Sequence, residues 1–183
     1  MSSKENKKRA STLAALLKEK PRRGRPPRAV SRQNVYVTLS DEQKERMKRL
    51  ADCLPEGLSR ADLPDLAITI LSARLEALHR AVSDRNREIP EGITDLESLY
   101  LLWDLSLPAQ NSDPRWTSIR VSPQQTIEFG RVQGTLNAVF GANRSETFQL
   151  ALALLTQFLE DSTLKSTSAS LEDLRKRIAS IYL

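Results

Sequence analysis

The chain has 183 residues, 39% hydrophobic and 28% charged, enough for one domain of ordinary size or two small ones. Its single cysteine, Cys53, excludes an intrachain disulfide, and its single histidine, His79, excludes a zinc cage of histidines and cysteines. The net charge of +5 hides two opposed parts: residues 1–33 hold 11 basic and two acidic side chains, for +9, and residues 34–183 carry −4. A basic arm on a slightly acidic body points to a polyanion partner, nucleic acid first. No apolar run approaches the ~18–20 residues needed to span a bilayer. The basic N-terminus lacks the apolar stretch of a signal peptide. The expected setting is reducing: a cytoplasmic, nucleoid-associated protein with no metal and no cofactor.

Residues 8–20, KRASTLAALLKEK, place Leu13, Leu16 and Leu17 on one face of a short helix that needs a docking surface to persist. Residues 21–28, PRRGRPPR, hold three prolines and a glycine, which forbid helix and paired strand and predict an extended cationic segment. Residues 34–39, NVYVTL, alternate strictly and predict a half-buried strand. Ser40 and Asp41 open a helix with Met47, Leu50, Ala51 and Leu54 on one face, and Pro55-Glu56-Gly57 breaks it. From Ser59 a second helix carries Leu63, Leu66, Ala67, Ile70, Leu71, Leu75 and Leu78.

The same order returns. Residues 116–121, WTSIRV, form a second alternating strand. Phe129, Val132 and Leu136 follow Met47, Leu50 and Leu54 by 82 residues. After Gly141 and Asn143, the residues Leu150, Ala151, Leu154, Leu155 and Leu159 follow Leu66, Ala67, Ile70, Leu71 and Leu75 by 84. Three elements repeating in one order indicate an internal duplication, with the two-residue drift in the turn between helices. Between the copies, Ile93 to Leu105 predicts a helix with Leu96, Leu99, Tyr100 and Trp103 on one side. At the C-terminal end, Ser170 to Asp173 resembles a capping box, opening a helix striped by Leu171, Leu174, Ile178 and Ile181. Apolar stripes near Trp103 and Ile178 are expected to pair chains into a homo-oligomer or to receive a protein partner.

A lone strand leaves its backbone groups unpaired, and some fifty residues bury too little surface to fold alone. Two copies solve both problems by pairing their strands and sharing one core. On the residues NVYVTLSDEQ…GLSRAD and WTSIRVSPQQ…GANRSE, the chain resembles the ribbon-helix-helix superfamily of DNA-binding proteins. The resemblance implies a mainly α fold: a tandem ribbon-helix-helix forming an intramolecular pseudo-dimer with a two-stranded antiparallel ribbon, plus extra helices. The organisation that follows is a basic arm (1–33), unit 1 (34–83), an inter-repeat segment (84–113), unit 2 (114–163) and a C-terminal helix (164–183).

The alternation turns Val35, Val37, Leu39, Thr117, Ile119 and Val121 to the core and Asn34, Tyr36, Thr38, Trp116, Ser118 and Arg120 outward. A two-stranded ribbon fits the major groove of B-DNA, where arginine pairs with guanine, asparagine with adenine, and serine or threonine with either. The resemblance maps base contacts onto Asn34, Tyr36, Thr38, Ser118 and Arg120. Trp116, at the strand's edge, is expected to pack beneath the N-terminal or inter-repeat segment, an alternative also open to Tyr36. Helix N-termini offer N–H groups to phosphate, and the family clamps the DNA backbone there. That reading gives phosphate contacts to Ser59 and Arg60 in unit 1 and to Asn143, Arg144 and Ser145 in unit 2. The first clamp is the weaker fit, because Pro64 is compatible with the helix only if the helix begins near Asp62. Helix capping alone would also explain both segments. Asp62 and Asp65 are assigned to the helix dipole. Within the arm, Arg23-Gly24-Arg25-Pro26 looks like an AT-hook core. Arg22, Arg23, Gly24, Arg25, Pro26 and Arg28 would then lie along an A·T minor groove.

Double-stranded DNA is thus the expected partner and transcriptional repression the expected role. An accessory role in partition, conjugation or transposition, and an antitoxin-like interaction module, are the alternatives. No Walker A loop, G-x-G-x-x-G or G-x-S-x-G is present, so no enzyme activity is expected. Gly130 and Gly134 lie one turn apart in a predicted helix, where they either admit a close neighbour or weaken the helix.

Overall fold

The computed structural model describes residues 31–83, 93–108, 113–161 and 170–182. The expected helix over 8–20 and the AT-hook-like segment 21–28 lie outside the described residues. The described residues form six helices and two strands: β1 (Gln33–Leu39), α1 (Asp41–Asp52), α2 (Leu63–Ser83), α3 (Leu96–Leu102), β2 (Arg115–Val121), α4 (Pro123–Phe140), α5 (Arg144–Asp161) and α6 (Leu171–Tyr182). A 3-10 turn, Arg60–Asp62, leads into α2. The architecture is mainly helical, with one small antiparallel sheet in which β1 pairs with β2. None of these helices is long and apolar enough to cross a membrane.

Local chemistry sets the helix ends. Ser40 and Gln43 cap α1 reciprocally, with Gln43 N–H donating to the Ser40 hydroxyl at 3.2 Å and Ser40 N–H to Gln43 Oε1 at 2.9 Å. Pro64 sits in the first turn of α2, where its missing N–H costs nothing, so the helix begins later than Ser59. α3 is shorter than the expected span from Ile93 to Leu105. Asp95 caps it by accepting the Ser98 N–H at 2.8 Å and the Ser98 hydroxyl at 2.8 Å; the hydroxyl first, and then the N–H, hold the Asp95 carboxyl below its usual range. At the other end Asp104 turns left-handed (φ 53), and Leu105 N–H reaches back to the Tyr100 carbonyl at 2.8 Å. That is a Schellman ending built on a residue other than glycine.

The two strand-helix-helix stretches are not equal. α1 ends at Asp52, whereas α4 runs 18 residues to Phe140 and stops at the left-handed Gly141 (φ 69). Pro55 and Gly57 interrupt the first stretch, while Asn137 and Val139 at the matching positions let the second helix continue. The difference between the stretches is therefore larger than a two-residue insertion.

The core has one centre. Leu63, Leu66, Ala67, Ile68, Ile70 and Leu71 of α2 are buried on all sides, and α2 packs against α4, α5 and α6. From α5 come Phe148, Leu150, Leu154 and Leu155; Phe129 of α4 meets Phe148 edge-on, ring centres 6.2 Å apart. The inward strand positions Val35, Val37, Leu39, Ile119 and Val121 close the core from above, while Thr117 is half-buried. Trp103 and Ile178, expected near chain-pairing stripes, are buried in this same core with Leu99, Tyr100 and Leu174. Trp103 and Ile178 themselves therefore pack within the chain, whereas Ile181 of the C-terminal stripe and Leu101 of α3 are exposed.

Gly130 and Gly134 are exposed, and a Cβ added at either would meet nothing within 4 Å. They admit no close neighbour among the described residues, which leaves the weakening of α4 as their effect. Gly130→Ala and Gly134→Ala should each stabilise the protein by about 1 kcal/mol. Denaturant midpoints measure this, and a loss of stability at either site would show that something does pack there.

Candidate nucleic-acid interface

The register of the ribbon fixes which side chains stand together. Asn34 pairs with Arg120, Tyr36 with Ser118 and Thr38 with Trp116. These six residues form the face away from the core. Asn34, Ser118 and Arg120 are exposed, Thr38 is half-buried, and Tyr36 and Trp116 are 61% and 76% exposed. Trp116 is thus not packed beneath any described segment, contrary to the expectation from its edge position. The strands carry no carboxylate, and Arg115 and Arg120 give them positive charge. Two large aromatic rings are thus left in water beside hydrogen-bonding side chains, the kind of exposed surface that marks an interaction site.

At one end of the ribbon stands the start of α5. Asn143 Oδ1 accepts the N–H groups of Ser145 (2.9 Å) and Glu146 (3.0 Å), and the Glu146 carboxylate accepts the Asn143 N–H at 2.8 Å. This is the expected capping box, and it occupies two of the N–H groups that a phosphate would use. The Ser145 hydroxyl accepts the Thr38 backbone N–H at 2.8 Å, tying α5 to β1. Ser145 is therefore engaged as an acceptor, with its own proton still able to donate. Arg144 is exposed.

The other end is built differently. Ser59 and Arg60 are exposed, and the Asp62 carboxylate accepts both the N–H and the O–H of Ser59 at 2.8 Å. Leu63, Pro64 and Asp65 are buried, so the true N-terminus of α2 is closed to a phosphate. Of the expected first clamp only Ser59 and Arg60, at the start of the 3-10 turn, are exposed, because the helix proper starts inside the core.

Beneath this end lies a cluster that the sequence did not announce. Asp65, whose side chain is 1% exposed, accepts the Ser122 backbone N–H at 2.9 Å. Its second oxygen lies 3.6 Å from Arg32 and 3.8 Å from Arg175 of α6. Arg32 also ion-pairs with Asp62, donates to the Ala61 carbonyl and reaches the Arg120 carbonyl at 3.4 Å. Asp65 therefore does more than face a helix dipole: one oxygen accepts the Ser122 N–H just after β2, and the other lies within ion-pair range of two arginines without a hydrogen bond to either. α6 is held further by Arg74, whose guanidinium lies 4.4 Å from the Tyr182 ring centre. Along the sequence Arg32 reads only as part of the arm's charge. The one clue in the sequence was Ala61, which lacks the hydroxyl that Ser145 supplies at the matching position.

Comparison with protein-family models, curated proteins and solved structures finds no match to this chain.

Asp65→Asn would keep an acceptor for Ser122 but leave Arg32 and Arg175 without their shared negative charge. Stability should fall by about 3 kcal/mol, the usual scale for breaking a buried ion pair. Amide exchange in α6 should quicken at the same time. Unchanged denaturation and unchanged α6 exchange would show that the cluster ties nothing together.

Proposed function

We propose that this chain binds double-stranded DNA sequence-specifically by laying the β1–β2 ribbon in the major groove, and that it acts as a transcriptional repressor. The observation that carries the reading is the outward ribbon face: three cross-strand pairs, free of carboxylates, with two exposed aromatic rings. In a major groove, Arg120 would donate to guanine O6 and N7, and Asn34 would pair with adenine N6 and N7. Thr38 and Ser118 would serve either base, and Tyr36 and Trp116 would meet thymine methyls or sugars. Each well-placed contact contributes about 1–3 kcal/mol of discrimination. Arg144, at the exposed start of α5, would hold the backbone beside the groove.

In this reading the chain is a tandem ribbon-helix-helix protein and its own pseudo-dimer. The repeat offset supports this. Ser118 is the residue 82 after Tyr36, and the two stand opposite each other in the ribbon. A two-fold axis through the middle of the ribbon requires equivalent residues to meet there. Because the outward residues of the strands differ, the site read would be asymmetric.

The test is binding-site selection in vitro with the wild-type protein and with a variant carrying Asn34→Ala, Ser118→Ala and Arg120→Ala. All three side chains are exposed, so the fold should survive. The variant should lose base preference by about 10-fold or more at the positions these residues read. Identical preferences in the two proteins would sink the ribbon reading. Repression, as opposed to an accessory role, is expected to appear as sites in promoter regions, the chain's own among them.

A further inference from the structure

The two repeats carry the same helix-start pattern, and only one of them uses it. Ser122 and Gln125 follow Ser40 and Gln43 by 82 residues. At α1 the pair caps the helix reciprocally, with the Ser40 N–H held by Gln43 Oε1 at 2.9 Å. At α4 neither half of the box is made. The Asp65 carboxylate takes the Ser122 N–H at 2.9 Å, so Gln125 loses the donor that its oxygen would otherwise accept. In the other repeat the residue matching Asp65 is Gln149, and the Ser40 N–H stays with Gln43. Gln125 is left only 4% exposed, and its Oε1 is buried without a hydrogen-bond partner among the described residues. A buried amide oxygen in that state is costly unless a further donor reaches it.

Gln125 lines a cleft of about 340 Å³ between α2, α4 and α6. That volume falls at the lower end of the ~300–1,000 Å³ of small-molecule sites. Arg175 of α6 lines the same cleft, and its Nε and Nη2 atoms are buried and likewise without a hydrogen-bond partner among the described residues. Nη2 stands 3.8 Å from Asp65, within ion-pair range but beyond hydrogen bonding. Together the Nε and Nη2 hydrogens form one edge of the guanidinium, the edge that receives both oxygens of a carboxylate. Glu76, Glu128 and Arg131 complete the charged lining, so two acids face two bases. Glu128 already accepts from Arg131 and Ser72. Ala73 and Ile178 add an apolar wall.

We infer that this cleft binds a small zwitterion of the α-amino-acid class. The ligand's carboxylate would sit on the free edge of Arg175. Its ammonium would donate to Gln125 Oε1, with Glu76 supplying countercharge in the lining. Each end then satisfies a group that the protein itself leaves unpaired. A ligand of one charge would unbalance a lining of two acids and two bases, and a zwitterion does not. The site uses no residue of the ribbon face, so the inference stands apart from the DNA reading.

Isothermal titration calorimetry of the full-length protein with each standard L-α-amino acid tests this. At least one should bind saturably at millimolar concentration or below. Its α-carboxamide keeps the ammonium and its N-acetyl derivative keeps the carboxylate; each should bind about 10-fold more weakly or worse. Arg175→Gln should weaken the amino acid by a similar factor. Gln125→Leu roughly keeps the volume and removes the unpaired oxygen. It should therefore lose affinity while the ligand-free protein denatures at the same or a higher midpoint. If Arg175→Gln loosens α6, Gln125→Leu and the two derivatives carry the test. No saturable binding by any amino acid, undiminished binding by either derivative, or unchanged affinity in Gln125→Leu would overturn the inference. So would a ligand-free Gln125→Leu protein of lower stability, because the oxygen would then already have a partner. None of these outcomes touches the DNA reading, which uses neither Gln125 nor Arg175.

Discussion

The fold depends on the pairing of β1 with β2. A seven-residue strand offers a row of backbone donors and acceptors that must be matched or left to water, and among the described residues these two strands have only each other as sheet neighbours. The match joins segments some eighty residues apart. Once it is made, strand alternation does the rest: Val35, Val37, Leu39, Ile119 and Val121 face α2 and α5, and the other residues face outward. A one-residue slip of β1 would bury Tyr36 and expose Val35 and Val37, and one of β2 would bury Ser118 and Arg120, so the core fixes the register and the register composes the outer face.

The second constraint is electrostatic. Asp65 lies in the first turn of the most buried helix, where an isolated carboxylate would cost several kcal/mol. It is tolerated because the Ser122 N–H and two arginines surround it. Those partners come from the end of β2, from the residue before β1 and from the C-terminal helix. One buried charge thereby gathers the ribbon end, the root of the basic arm and α6 at a single point. Replacing it with a hydrophobic residue of similar volume could keep the packing, but it would remove the reason these three segments meet.

Charge also shapes the proposed interaction with DNA. A body of −4 cannot draw DNA by bulk attraction, so on the proposed reading recognition falls to a few placed groups on the ribbon and at the start of α5. The arm would supply most of the salt-dependent affinity. The ends of the ribbon are closed by different means, a serine hydroxyl at one and an arginine at the other.

By itself the sequence determined the element order, both strands, most of the core, the breaks at Pro55 and Gly141 and the capping boxes at Asn143 and Ser170. Each of these follows from residues close in the chain, through strand alternation, helical periodicity or hydrogen bonds within one turn. The six outward ribbon positions were legible for the same reason. Only the tertiary structure decided that Trp116 is open to solvent, that Trp103 and Ile178 belong to the chain's own core, that the start of α2 is closed, and that Arg32 and Arg175 meet on Asp65. These are questions of what lies across a gap of 29 to 110 residues, and no local pattern encodes them. An arginine in a basic arm and an aspartate near a helix start look ordinary along the chain, and only the fold that brings them together makes them partners.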